Sequence, residues 1–304
     1  MDRPAPAGAF VTSAVVPPAA VGRGPWADAW RRLRRNRLAL VGGAMLLLVV
    51  LSCALLPLLL GLDERRQDTV ARDQAPNASH WFGTDGLGRD YGARVLVGGR
   101  ASLLVGLVGT LVCVLIGTVY GAVAGYYGGR VDDAMMRVVD FLYGIPYMFL
   151  VILIMLTMSD EDRNSPTAVF AALGLVQWLT MARIVRGQVL SLRHEEYVLA
   201  ARVMGARDLR IIFRHVLPNC IGPIVVYGTL QVAAVILLES FLSYLGLGLQ
   251  LSWGNLVADA NVVNPVESRW WLLAFPCAFL GTTLLSLNFL GDGLRDAFDP
   301  KTRR

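Results

Sequence analysis

Residues 38–60, LALVGGAMLLLVVLSCALLPLLL, form an uncharged apolar run that indicates a helix crossing a membrane. Such a helix needs about 20 apolar residues to span roughly 30 Å of hydrocarbon, and this run is long enough. A cleaved secretory signal has a shorter apolar core of about 7–15 residues. Because five arginines between positions 31 and 37 precede the run, we predict an uncleaved first transmembrane helix with its basic flank in the cytoplasm.

The rest of the chain continues in the same way. Of its 304 residues, 55% are hydrophobic and 17% are charged, whereas a soluble domain carries about 25% charged residues. The runs are unbroken, which argues against a transmembrane barrel, whose strands alternate in segments of about ten residues. We therefore predict an all-α membrane protein with six transmembrane helices. The five further spans are 101–126, 141–158, 166–182, 221–245 and 270–290.

Basic residues are distributed unevenly among the loops, and this distribution predicts the orientation. If both termini are cytoplasmic, twenty of the 28 Arg and Lys residues lie on the cytoplasmic side, as the positive-inside rule expects. This N-in, C-in arrangement divides the chain into four parts. They are a basic, partly disordered cytoplasmic tail (1–37), the first helix with a long extracytoplasmic loop (38–100), a five-helix core containing a cytoplasmic loop at 183–220 (101–290), and a cytoplasmic C-terminal tail (291–304).

Lysine, histidine and cysteine usage excludes several kinds of chemistry. Lys301 is the only lysine and follows no glycine-rich loop, so the chain lacks a Walker-type phosphate-binding loop. The three histidines are scattered. The four cysteines form no C-x-x-C pair and lie in or beside apolar segments, where small buried side chains are expected. We predict no metal site and no catalytic residue, so the chain is not expected to be an enzyme.

Three glycines in the second predicted span are spaced four residues apart. Gly117, Gly121 and Gly125 therefore lie on one face of a helix. A ridge of small residues lets two transmembrane helices approach closely. We predict that this ridge is a packing surface.

The loop between the fourth and fifth spans is the most informative cytoplasmic segment. Tyr197, Ala201 and Met204 are spaced as on one helical face, and Gly205 can break the helix. Asp208 suits the start of a second short helix, which a proline ten residues later is expected to end. Residue chemistry leaves two interpretations open. The segment is either a helix on an anionic membrane surface or a plug that docks in a groove of a partner protein.

Several motifs resemble those of the C-type inner-membrane permeases of oligopeptide and dipeptide ABC importers. One resembles the EAA loop of ABC-importer permeases, with Leu199 in place of its first Glu. Its matching residues are Ala200, Ala201, Gly205, Ile212, Leu217 and Pro218. The other matching stretches are 80–90, 99–103, 242–248, 252–254 and 288–300, and the resemblance runs in unbroken order from residue 26 to the C-terminus.

The resemblance implies a type I ABC-importer permease fold in a bacterial inner membrane, and a role in transport. It implies a homologous B-type permease, two cytoplasmic ATPase subunits that carry ATP and magnesium, and an extracytoplasmic peptide-binding protein as partners. Beyond these and the lipid bilayer, neither nucleic acid nor a cofactor bound by this chain is expected. Dipeptides and nickel chelates are alternatives to oligopeptides as substrate. The residues assigned to ATPase coupling are Ala200, Ala201, Gly205, Arg207, Asp208, Ile212, Leu217 and Pro218.

A glycine-rich stretch in the first outer loop is a second candidate site. Asp85, Arg89 and Asp90 are expected to form a salt-bridged turn that orders this loop. A solute-binding protein could dock there, and Trp253 in another outer loop is assigned to the same surface.

Glu239 is the one carboxylate well inside a predicted span, which makes it a functional candidate. With Ser240 and Ser243 it either lines the translocation path or is bonded to a neighbouring helix. A further alternative makes Glu239 the proton site of a secondary transporter. Such transporters usually contain inverted repeats, and we find no convincing repeat in this sequence.

Overall fold

A computed structural model describes residues 25–159, 166–262 and 269–298. Within them all regular secondary structure is helical, as predicted, with two isolated β-bridges and no strand. Residues 1–24 of the predicted, partly disordered tail and the C-terminal residues 299–304 lie outside the described residues. A π-helical segment, Ile212–Val216, joins two of the helices. The helices are α1 (Pro25–Leu33), α2 (Arg37–Leu59), α3 (Tyr91–Tyr127), α4 (Gly129–Gly144), α5 (Tyr147–Thr157), α6 (Pro166–Leu192), α7 (Glu196–Val203), α8 (Asp208–Ile211), α9 (Leu217–Tyr244), α10 (Trp253–Val262) and α11 (Trp270–Phe298).

Four continuous helical segments in the described part are long and apolar enough to cross a membrane. They are α2, α3, Asp208–Tyr244 and α11, and α4 with α5 forms a fifth, bent candidate. The fourth predicted span, 166–182, lies within α6. The chain is therefore a multi-pass helical membrane protein, while the count of six spans and the N-in, C-in orientation stay predictions.

The third predicted span is not one straight helix. Instead of a continuous run from 141 to 158, α4 ends at Gly144, α5 begins at Tyr147, and their axes are bent by 83°. Ile145 between them is extended, with φ −91° and ψ 127°. Because the residue before a proline avoids the helical region, Pro146 explains the break.

The outer ends of the spans differ from the prediction. α3 begins at Tyr91, ten residues before the predicted start. Asp90 is its N-cap and accepts a 2.9 Å hydrogen bond from the backbone N–H of Ala93. α10, in the outer loop before the last span, was not predicted. Its ten residues are too few for a search for apolar spans to detect.

The glycine ridge of α3 packs against α6, as predicted. A Cβ on Gly117 would lie 2.7 Å from the carbonyl oxygen of Trp178, and one on Gly125 would lie 2.8 Å from that of Arg186. A Cβ on Gly121 would overlap the carbonyl oxygen of Ala182. The two backbones therefore approach closely only because these positions carry no side chain.

Two ion pairs join α4 to the same helix. Arg186 Nη2 donates to Asp132 Oδ2 at 2.6 Å, and Arg183 Nη2 donates to Asp140 Oδ1 at 2.7 Å. The guanidinium of Arg183 also lies 3.9 Å from the centre of the Tyr143 ring. These contacts position α4 although its connection to α5 is sharply bent.

Three of the four cysteines are buried. Cys53, Cys113 and Cys220 are buried, as expected, and all four cysteines are free thiols. Cys277 is exposed, so the expectation is wrong there. Its face of α11 is not covered by another described element of the chain, which sequence hydrophobicity does not reveal.

Candidate functional site

The α7–α8 loop, residues 196–211, turns sharply at Gly205. Gly205 has φ +78°, in the left-handed region that favours glycine. Its N–H donates to the carbonyl of Arg202 at 3.0 Å, and the N–H of Ala206 donates to the carbonyl of Ala201 at 3.1 Å. This pair of bonds is a Schellman cap, so Gly205 ends α7 as predicted.

The inner face of the loop is packed against the long helices. Val198 and Ala201 are buried with Ile211 and Ile212, in a cluster that includes Val189 of α6. Ala201 and Ile212, both assigned to coupling, therefore anchor the loop instead of reaching a partner. The inner face of the segment is therefore fixed on the helices against which it packs.

The three residues predicted to share one face of α7 differ in burial. Ala201 is buried, but Tyr197 and Met204 are exposed. The buried positions are Val198 and Ala201, three residues apart, and Met204 is the C-cap residue, beyond the last turn. Ala200 and Gly205 are exposed as well.

Asp208 lies in the first turn of α8, as predicted, and links it to the end of α3. The hydroxyl of Tyr126 donates to Asp208 Oδ1 at 2.8 Å. Arg202 of α7 lies over the ring of the same tyrosine, 5.4 Å from its centre. Arg207 is the N-cap residue of α8 and is exposed. One tyrosine of α3 thus contacts both short helices.

Pro218 does not end a helix, contrary to the prediction. It lies in the first turn of α9, directly after the π-helical segment. The N–H of Leu217 donates to the carbonyl of Ile212, five residues earlier. Pro218 is thus an interior position of the continuous segment Asp208–Tyr244, and its missing N–H falls directly after a π-helical turn that already replaces the ordinary helical bonds. The loop therefore runs into α9 without a break, and Leu217 and Pro218 belong to that helix.

The first outer loop is ordered around Asp85, which is nearly buried. Its carboxylate accepts bonds from the backbone N–H groups of Leu87 and Arg89 at 2.9 and 3.0 Å, and from Arg89 Nε at 2.7 Å. Arg94 of α3 donates to Asp85 at 2.9 Å and to Asp259 of α10 at 3.2 Å. The predicted salt-bridged turn is confirmed for Asp85 and Arg89.

Asp90 has a different role from the one predicted. Besides capping α3, its carboxylate lies 2.8 Å from His80 Nδ1. Sequence reasoning also missed Arg94 and Asp259. The position of Arg94, nine residues after Asp85 and beside an apolar run, is only a weak signal for its role. No sequence signal indicates Asp259.

Trp253 is fully buried, so its assignment to an exposed docking surface is corrected. Its indole Nε1–H donates to the carbonyl of Val95 at 3.0 Å. A Cβ on Gly99 would lie 2.7 Å from its ring, so the ring packs directly on α3. Docking of a binding protein near Asp85 stays a prediction.

Glu239 is fully buried where α3, α9 and α10 meet. Ser243 Oγ donates to Glu239 Oε1 at 2.6 Å, and Ser102 Oγ donates to Oε2 at 3.2 Å. Ser240 Oγ lies 3.5 Å from Glu239 Oε2. Ser102 Oγ also accepts a hydrogen bond from the backbone N–H of Trp253 at 3.2 Å. The bonded interpretation of Glu239 fits this geometry. Ser102 was missed because it lies 137 residues away in sequence.

Among the described residues, no group of three or more His, Cys, Asp or Glu side chains could hold a metal ion. The chain combines long apolar helices with an ordered outer loop and an exposed, glycine-capped loop anchored on two of those helices.

Residues 117–304 match the family described as the inner membrane component of binding-protein-dependent transport systems, and this chain belongs to that family. Residues 24–76 match the N-terminal transmembrane domain of oligopeptide transport permease C. The chain is a membrane-spanning permease subunit and, like its family, a transport component.

Individual relatives are similar over nearly the whole chain. The dipeptide transport system permease protein DppC of Bacillus subtilis is 46% identical over 91% of this chain and 86% of its own length. The oligopeptide transport system permease protein OppC of Escherichia coli K12 is 46% identical over 93% of both chains. A solved structure of the MetNI methionine ABC transporter in inward-facing conformations matches 67% of this chain and 96% of its own, with TM-score 0.55 and 17% identity. The last match shows a type I ABC-importer permease fold.

Proposed function

We propose that this chain is one of two permease subunits of an ATP-driven importer that takes up oligopeptides delivered by an extracytoplasmic binding protein. The observation that carries the proposal is the 41–46% identity to dipeptide and oligopeptide permeases over more than nine-tenths of this chain. A B-type permease would form the other half of the path. Two cytoplasmic ATPase subunits would bind ATP and magnesium, and this chain itself would bind no cofactor.

The outward side of the α7–α8 loop supports the docking interpretation. Val203, Met204 and Leu209 are apolar and strongly exposed around the Gly205 turn. Beside them lies a cavity of about 400 Å³ lined by Gly205, Arg210 and other residues of the loop. An exposed apolar projection with basic side chains beside it is suited to binding in a groove of a partner protein.

Transmission through the loop follows from its packing. Its inner face contacts α3 and α6, and it continues without a break into α9. When the ATPase subunits close, the loop would carry the same displacement to these helices. Rigid-body rotation of the two permeases would then alternate access to the path.

Purification and transport test the proposal together. A tagged chain purified from its native membrane should bring a second permease and two ATPase chains with it. Vesicles holding this complex should accumulate a labelled tri- to hexapeptide only when ATP and the binding protein are both present. Uptake that needs no ATPase would contradict the proposal, and uptake of nickel chelates but not of peptides would correct its substrate.

The predicted orientation is testable at two valines of equal exposure. Val70 and Val203 are both 88% exposed and lie on opposite sides of the membrane in the N-in, C-in arrangement. In a Cys277→Ser background, a membrane-impermeant maleimide should label Val70→Cys in intact cells and should reach Val203→Cys only after permeabilisation. Labelling of Val203→Cys in intact cells would reject this orientation.

Glu239→Gln separates the importer from a proton-coupled transporter. A glutamine keeps one acceptor oxygen for the serine hydroxyls, so we expect ATP-driven uptake to persist after the proton gradient is collapsed. The variant would lose about 1 kcal/mol for one weakened hydrogen bond. Glu239→Leu is the contrasting variant, because it leaves the hydroxyls of Ser102 and Ser243 without this acceptor and should reduce the amount of assembled complex. Normal assembly of Glu239→Gln with complete loss of uptake would instead favour a proton site.

A further inference from the structure

Arg100 of α3 binds the backbone of α2 at a carbonyl that a proline has freed. Pro57 has no N–H, so the carbonyl of Cys53, four residues earlier, lacks its helical donor. Arg100 Nε donates to this carbonyl at 2.7 Å, and Nη2 donates to the carbonyl of Ala54 at 2.7 Å. One edge of the guanidinium is thereby held against α2.

The positive charge of Arg100 is not balanced by the described residues of the chain. Arg89 and Arg94, which precede Arg100 in the sequence, both pair with Asp85. Around Arg100, by contrast, only the two carbonyls accept hydrogen bonds, and no described Asp or Glu pairs with it. A charged side chain between apolar membrane helices is costly unless it finds polar partners, and here the two carbonyls leave one edge of the guanidinium without a partner among the described residues.

A cavity of about 460 Å³ lies beside this arginine, between α2, α3, α9 and α11. Its lining is almost entirely apolar, with Arg100 as its charged member. Leu104 and Leu107 line it and are exposed, so the cavity opens on the outer surface of the helix bundle. Its apolar wall also includes Leu46, Val50, Leu103 and Leu287.

We propose that this cavity holds an acyl chain of an anionic phospholipid whose phosphate binds the free edge of the Arg100 guanidinium. An apolar cavity with one cation at one end has the same layout as a lipid with one charged end. Guanidinium groups bind phosphate oxygens with paired hydrogen bonds, and Nη1 is not engaged by the described residues of the chain.

The position of Arg100 along α2 sets where the headgroup would bind. Cys53 lies six residues before the end of α2 at Leu59, which is about 9 Å along a helix at 1.5 Å per residue. The guanidinium is held at that depth by its bonds to the carbonyls of Cys53 and Ala54, so the proposal places the lipid phosphate there, below the outer end of α2. From Cys53 the cavity extends along α2 toward Leu46, away from the membrane surface, as an acyl chain would.

Native mass spectrometry of the full chain, with the subunits that co-purify, tests this proposal. The probes are phosphatidylglycerol and phosphatidylcholine with identical acyl chains, and inorganic phosphate alone. We expect one phosphatidylglycerol to be retained preferentially. Arg100→Gln should weaken its retention roughly fivefold, the size expected for one basic side chain near a charged lipid surface. Arg100→Lys should keep most of the preference, and phosphatidylcholine retention should change little.

Two further variants keep the proposal testable if Arg100→Gln fails to fold. Leu107→Trp should fill the cavity and abolish retention while Arg100 keeps its bonds to α2. Arg66→Gln is the matched control, because it removes an exposed cation of the first outer loop that lies outside the cavity, and this variant should retain lipid normally. Equal retention of both lipids by the unmodified protein would overturn the proposal, as would displacement by inorganic phosphate alone or a cavity covered by the second permease.

Discussion

Replacing Gly205 with leucine is expected to disconnect ATP hydrolysis from peptide uptake. Gly205 has φ +78°, and a Cβ added there would meet no other atom within 4 Å, so the cost is backbone strain and not a clash inside the chain. That strain amounts to about 1–3 kcal/mol. A change of this size alters a docking equilibrium by roughly 5- to 150-fold. Reconstituted vesicles, with transport and ATP turnover measured together, give the readout.

Gly205→Asn is the matched control for this experiment. Asparagine tolerates the left-handed region better than leucine, so it should preserve the turn and most of the coupling. Both variants should insert in the membrane and pair with the second permease, because Gly205 lies outside the long apolar helices. Normal transport and normal stimulated ATP turnover in Gly205→Leu would show that the α7–α8 loop is not the coupling element.

Adding one methyl group at Gly121 is expected to destabilise the chain strongly. A Cβ there would overlap the carbonyl oxygen of Ala182 and lie 3.0 Å from the backbone N of Arg186. Both contacts are to the backbone of α6, so no side chain can rotate away. Overpacking of this kind costs about 1–3 kcal/mol. Gly121→Ala should therefore lower the temperature at which the purified complex loses its monodisperse size-exclusion peak.

Gly187→Ala provides a control with the opposite sign. Gly187 is an exposed helical glycine of α6 with nothing within 4 Å of its Cβ position. Alanine is better than glycine inside a helix by roughly 0.5–1 kcal/mol, and the same gain applies at Gly121. Gly187→Ala should thus leave the melting temperature unchanged or raise it. If both alanine variants melt alike, the close packing of α3 on α6 does not limit stability.

Local chemistry was enough to predict the class of the protein and parts of its candidate site. The apolar runs predict an all-α membrane chain, because hydrocarbon tolerates only a backbone whose polar groups are satisfied within the segment. The bend at Gly205 and the start of α8 at Asp208 were also predictable, because both depend on residues adjacent in sequence. The Asp85–Arg89 pair belongs to the same group, since the two residues are only four apart.

Contacts between distant residues could not be predicted in this way. Ser102 bonds Glu239 across 137 positions, and Arg94 bonds Asp259 across 165. Burial of Trp253 depends on where α10 lies relative to α3. Hydropathy along one chain does not state which helix faces which, so it could not separate a path-lining Glu239 from a bonded one.

The break in the third span and the bond from Arg100 to α2 both show what the sequence cannot predict about a proline in an apolar run. Pro146 and Pro57 are both visible in the sequence within apolar runs. One produces an 83° bend between α4 and α5, while the other stays inside the continuous helix α2. The carbonyl freed by Pro57 receives a donor from Arg100 of the neighbouring helix. Only the packing of α2 on α3 brings that donor within reach, so the sequence alone does not show how α2 accommodates its proline.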